Sequence, residues 1–196
     1  MNEKNKEIVQ KIAYAGLMAA LSFVGYVVFP SFSVTGTKVH VGNAFVVLAA
    51  LLLGGVYGGL SGAIGLSIAD IVSGYAASAP RTFITKFVIG LVVGLIAHKI
   101  AKISNTHERK YVIKWSIIST VVAMLVNCVF EPALKWAWYT ILTPNADKAA
   151  SAIKSLLALT VYTSYINAVI NSIIAVLLYI ALRPALIKIG VIKPVK

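Results

Sequence analysis

Acidic residues are scarce in this chain: six Asp and Glu stand against eighteen Lys and Arg in 196 residues. Cysteine is scarcer still, and the single Cys128 excludes an internal disulfide; mid-way along an apolar run, it reads as packing. No GxxxxGK[ST] phosphate loop occurs, so the chain cannot drive itself with ATP. Neither HExxH nor a paired Cys/His spacing occurs, so no metal and no cofactor are expected.

What is present is apolar. Hydrophobic residues make up 59% of the chain and charged ones 12%, at a mean hydropathy of +0.88, which indicates a membrane protein. Six apolar runs, about 9–29, 44–53, 60–78, 82–101, 112–138 and 153–182, predict an all-α integral membrane protein: one bundle of six transmembrane helices over 1–196. The net charge of +12 does not call for nucleic acid, because the cations flank the runs. Lys4, Lys6, Lys11, Lys99, Lys102, Arg109, Lys110, Lys114, Arg183, Lys188, Lys193 and Lys196, twelve of the eighteen, fall on one side of a six-span arrangement. The positive-inside rule then places both termini in the cytoplasm. The first run is too long for a signal peptide's apolar core and lacks a small-x-small cleavage site, so it reads as a retained helix.

The charges inside the apolar stretches mark the candidate site, because an ionisable group in hydrocarbon costs at least about 2.5–3.5 kcal/mol and turns toward a polar pocket or a partner. Between Asn43 and Gly94 they are Asp70, Arg81 and Lys86. Two short links are read there, GGVYGG at 54–59 and SGYAASAP at 73–80, with Pro80 opening the fourth run as a helix start prefers. In the fifth run Asn127 and Glu131 share a face at i,i+4, and Lys135 one turn on offers Glu131 a simple pair, as Arg81 does for Asp70. The sixth run carries Tyr162, Tyr165, Asn167 and Asn171, with Thr163, Asn167 and Asn171 on one polar face. The long connection 30–43, rich in Ser, Thr and Gly and ending in His40 and Asn43, reads as a lid over these groups. The run that follows is about 15 Å of helix, able to cross only if that connection dips into the bundle. The expected substrate-binding residues are thus His40, Asn43, Asp70, Arg81, Lys86, Asn127, Glu131, Trp138, Tyr162, Tyr165 and Asn167, with the aromatics free to stack on a flat ring.

Catalysis is not expected. Gly59-Leu60-Ser61-Gly62 matches the GxSG of an intramembrane serine protease, yet His40, His98 and His107 are not placed as its base, and no nucleophile–base pair is found elsewhere. A self-standing proton-coupled secondary transporter is the alternative class, but there is no clear internal repeat and no acid in the inner half of any run. Small residues four apart at Ala15/Ala19 and Gly16/Ala20 allow close helix approach on the first run, within the bundle or against another membrane subunit.

Six spans with both ends inside, small-xxx-small on the first, a long outer loop before a short second span, and NAFVVLAALLLGGVYGGLSGAIGLSIAD…APRTFITKFVIGLVVGLI resemble the substrate-binding S component of an energy-coupling factor (ECF) vitamin transporter. The resemblance covers essentially the whole chain and is nearest the group for riboflavin, pyridoxine-like compounds and hydroxymethylpyrimidine. It implies a subunit of the bacterial cytoplasmic membrane that captures a vitamin from outside and works with a transmembrane coupling subunit and two ATPases. Ala15 and Ala19 match the family's AxxxA surface for the coupling subunit. A pyridoxine-like or hydroxymethylpyrimidine ligand is expected first, with riboflavin, pantothenate, folate or a queuosine precursor as alternatives.

Overall fold

A computed structural model describes residues 2–28, 32–34, 37–106, 108–142 and 150–190; His107, Lys148, Lys193 and Lys196 lie outside these. The elements run α1 (Glu3–Val27), β1 (Phe32–Val34), β2 (Thr37–Val39), α2 (Gly42–Leu53), α3 (Gly55–Val72), α4 (Ala79–Gly94), α5 (Arg109–Leu142) and α6 (Ala150–Lys188). A π-helical turn, Leu95–Ile100, prolongs α4. Five helical stretches among the described residues are long and apolar enough to cross a membrane, Asn5–Val27, Gly55–Val72, Ala76–Ile100, Arg109–Ile141 and Ile153–Lys188. The sixth expected span is α2, whose 12 residues reach about 18 Å against a hydrocarbon core of about 30 Å.

α2 is the centre of the bundle. Ala44, Val46, Val47, Leu48, Ala49, Ala50 and Leu51 are all buried, and a helix apolar on every side is stable only when other helices surround it. α1, α3, α4 and α6 do so. Outward stripes such as Ile117, Val121, Leu125 and Val129 on α5 are exposed and apolar, as a lipid-facing surface requires.

GGVYGG is a link only at its first residue. Gly54, at φ +85°, alone joins α2 to α3, and the remaining glycines lie inside α3. They permit contact rather than turning: a Cβ on Gly90 would come within 2.2 Å of the Gly59 Cα, and one on Gly94 within 2.2 Å of the Gly55 Cα. Two G-x-x-x-G faces, Gly55/Gly59 and Gly90/Gly94, thus meet backbone to backbone in an antiparallel helix pair. On other faces of α3, Gly58 and Gly62 admit Ala50 and Val46 of α2, and Gly65 rests on the Ala19 carbonyl of α1. The second link is largely as read: α3 ends at Val72, Gly74 turns at φ +85°, a 3₁₀ turn follows over Ala76–Ser78, and α4 starts with Pro80 in its first turn.

The connection before α2 does dip into the bundle. β1 and β2 pair antiparallel, with Ser33 opposite Lys38, and the chain then descends along α6. Asn167 accepts the His40 N–H at 3.0 Å and donates to the Lys38 carbonyl at 3.0 Å. Asn171 accepts the Ala44 N–H at 2.8 Å and donates to the His40 carbonyl at 3.0 Å. Two side-chain amides on successive turns of α6 therefore bond the backbone that leads into α2, where the Ala44 N–H is shared with the Val41 carbonyl at 3.1 Å.

Candidate functional site

A cavity of about 80 Å³ lies where the ends of α1, α3 and α5 meet the starts of α4 and α6, with β2 and the chain entering α2 as one wall. It is at the opposite end of the bundle from the start of α1 and the end of α6. Of the expected residues, His40, Asn43, Asp70, Arg81, Lys86, Glu131 and Asn167 line it.

The anticipated simple pairs are not the ones formed. Lys86 on α4 meets Glu131 on α5 at 3.6 Å, in place of a Glu131–Lys135 pair along one helix. Glu131 also accepts from Asn127 at 3.1 Å, so Asn127 stands behind the carboxylate and outside the cavity lining. Asp70 takes no contact from Arg81; its two oxygens accept the Tyr26 hydroxyl at 2.8 Å and the Thr82 hydroxyl at 2.5 Å. Arg81 donates to Ser78 at 3.2 Å, and Lys135 to Thr160 at 2.8 Å. For Glu131 the turn geometry of α5 was available, but α4 brought Lys86, and Lys135 turned to Thr160 on α6.

Tyr162 and Tyr165 do not line the cavity. They are 63% and 51% exposed on the outer side of α6, where Tyr165 continues the stripe Val169, Ile173 and Leu177. The inward face of α6 is Thr160, Thr163, Ser164, Asn167 and Asn171, roughly 100–180° round the helix from Tyr162. Trp138 is half-buried and also outside the cavity lining. The aromatic rings at the cavity are Tyr26 and Tyr75 with the His40 imidazole. Sequence reading missed Tyr26, Tyr75, Ser78, Thr82, Thr160 and Ser164, and saw Lys38, Lys135 and Thr163 without placing them in the site. Tyr26 ends a helix, where an aromatic reads as an interfacial anchor, so nothing local signalled its bond across to Asp70.

The His40 ring is 4.6 Å from Tyr26, tilted by 60°, and its Nδ1 accepts the Gly42 N–H at 3.1 Å. An accepting Nδ1 puts the ring proton on Nε2 and makes the imidazole neutral. Burial, helped by the charge on Lys86 and Lys38 and opposed by Glu131, pushes its pKa down to about 3. Lys38 lies over the Tyr26 ring at 4.0 Å from its centre and donates to the Tyr26 carbonyl at 3.1 Å. Burial lowers its pKa, with Asp70 acting in the opposite sense. The Asn43 Oδ1 is buried at the cavity with no hydrogen-bond partner.

The arrangement can grip a small polar molecule through both charge signs, hydroxyls and flat rings. Among the described residues no group of three or more His, Cys, Asp or Glu could hold a metal ion. Ala15 and Ala19 are half-buried on α1, Ala19 against the α3 backbone at Gly65, whereas Gly16 and Ala20 are exposed.

A family model described as "ECF-type riboflavin transporter, S component" matches residues 6–184. Neither a curated protein nor a solved structure matches the chain.

Proposed function

Because the chain belongs to the S-component family of ECF-type riboflavin transporters, we propose that its polar cavity captures a small vitamin for import by an ECF complex. S components are multi-pass membrane proteins and transport subunits rather than enzymes, and this chain is one of them. The observation that carries the reading is the cavity itself: charged and hydroxyl side chains from five helices converge at the end of the bundle away from both cation-rich ends of the chain. With the termini cytoplasmic, as the cation distribution supports, the cavity opens to the outside.

On size, the reading is a single-ring vitamin, pyridoxine-like or a hydroxymethylpyrimidine. The space of about 80 Å³ is roughly half of a 150 Å³ cavity that holds benzene, so even one ring needs some give in the wall formed by β2 and the chain entering α2. Riboflavin is the second reading, favoured by the description of the matching family model, and its three fused rings would demand a larger displacement of that wall. Tyr26 and Tyr75 take the stacking role first given to Tyr162, Tyr165 and Trp138.

Delivery requires partners, a transmembrane coupling subunit and two ATPases, since the chain has no phosphate loop. The docking face on α1 is assigned to the exposed Gly16/Ala20 pair beside Ala15/Ala19, because Ala19 already packs on α3. Native mass spectrometry of the purified protein should find a bound vitamin, and proteoliposomes should accumulate it only when the coupling subunit and ATPases are co-reconstituted. Gly16→Trp should abolish that uptake with binding intact. Accumulation by the chain alone on a proton gradient would sink the proposal in favour of a secondary transporter.

A further inference from the structure

Cations outnumber acids at the cavity. Lys38, Arg81, Lys86 and Lys135 face it against Asp70 and Glu131. Asp70 is occupied by the Tyr26 and Thr82 hydroxyls and offsets Lys38. Glu131 is left to Lys86, which it meets at 3.6 Å, while Arg81 and Lys135 lie within its field and within each other's. Three cations therefore share one carboxylate.

The partners of two of them are neutral. Arg81 has the Ser78 hydroxyl at 3.2 Å, and Lys135, only 4% exposed, has the Thr160 hydroxyl at 2.8 Å. A buried ammonium without counter-charge is strongly disfavoured, and a hydroxyl satisfies one of its three donors. Asn43, which also lines the cavity, is 1% exposed and its Oδ1 is buried with no hydrogen-bond partner.

We propose that the molecule held here carries an anionic oxygen group, a carboxylate or a phosphate ester, set between Arg81 and Lys135, and an O–H or N–H donor turned to Asn43. This rests on the vitamin-capture reading but not on any ring size. Riboflavin, pyridoxine and hydroxymethylpyrimidine carry no anionic group and leave the two cations unpaired; their phosphate esters, or a hydroxylated acid, pair them.

The test is titration calorimetry on the purified full-length protein with matched probes: pantothenate against panthenol, pyridoxal 5′-phosphate against pyridoxal, and riboflavin 5′-phosphate against riboflavin. In at least one pair the anionic member should bind at least tenfold more tightly, and the pair that does so separates carboxylate from phosphate. Lys135→Met and Arg81→Gln should each cut that preference about tenfold, whereas Lys135→Arg should keep it. Neutral members binding as tightly as their anions, or a preference untouched in both variants, would overturn the anion assignment while leaving vitamin capture standing. Binding of no probe would count against both. Should Lys135→Met fail to fold, the wild-type pairs and Lys135→Arg still decide.

Discussion

Asn171, near the middle of α6, accepts the backbone N–H of Ala44 at 2.8 Å and so sets the depth at which α2 begins. The same amide donates to the His40 carbonyl at 3.0 Å, which ties the cavity wall to the central helix. The His40 carbonyl would cost about 1–3 kcal/mol if left bare, whereas the Ala44 N–H keeps a second bond of 3.1 Å to the Val41 carbonyl. Asn171→Leu is expected to lower stability in detergent by about 1–3 kcal/mol and to weaken vitamin binding together with it. Asn167→Leu, which frees the Lys38 carbonyl and His40 N–H nearer the cavity, should cost affinity more than stability. Equal loss of both in the two variants would show that the wall and the helix move as one.

The Lys86–Glu131 contact joins α4 to α5 across the cavity. Glu131→Gln keeps the shape but leaves Lys86, 4% exposed, without its carboxylate. Breaking a fully buried pair costs about 3–5 kcal/mol, and a Glu131 side chain 29% exposed puts this one at or below the low end. Lys86→Met combined with Glu131→Gln should recover much of the lost melting temperature. Failure of the double variant to recover would mean that the two residues do not couple.

The Gly59–Gly90 contact predicts a steric result that hydropathy does not. A methyl group at residue 90 would stand 2.2 Å from the Gly59 Cα, so α3 and α4 must separate. Gly90→Ala should reduce the yield of folded, monodisperse protein severalfold, while Gly16→Ala, which meets open space, should not. Comparable yields for the two would remove the close crossing from the account.

His40 gives the protein an acid-sensitive wall. Its folded pKa of about 3 lies below the ordinary 6.5, so between those values the unfolded chain binds a proton that the folded one refuses. Stability is therefore full above pH 6.5 and falls on acidification, by up to about 2 kcal/mol at pH 5 from this residue. Melting temperatures taken from pH 7.5 to 5 should fall less steeply in His40→Gln, whose amide has no titration in that range. Parallel slopes would assign the acid sensitivity elsewhere.

Much of this was legible in the residues. The apolar runs located every long helix, because crossing hydrocarbon demands length and hydropathy that few other structures share. Charges inside those runs located the cavity for the same reason: Asp70, Arg81, Lys86 and Glu131 have nowhere else to go at low cost. The short second run and the long connection before it together signalled that the connection dips inward, since 12 residues cannot cross alone.

What tertiary structure decided was pairing and facing. A sequence shows neighbours along one helix, so Lys135 read as the partner of Glu131, yet Lys86 arrives from α4 and takes it. It shows aromatics but not their phase against unseen neighbours, so Tyr162 read as a stacking ring although it faces outward. It shows GGVYGG but not whether those glycines turn the chain or admit another backbone, and in α3 they admit Gly90 and Gly94. Helix identity is fixed by the local balance of apolar burial and backbone hydrogen bonding, which a single strand of sequence carries. Which side chains meet depends on how six helices rotate and cross, and that is settled only by the packing of all of them at once.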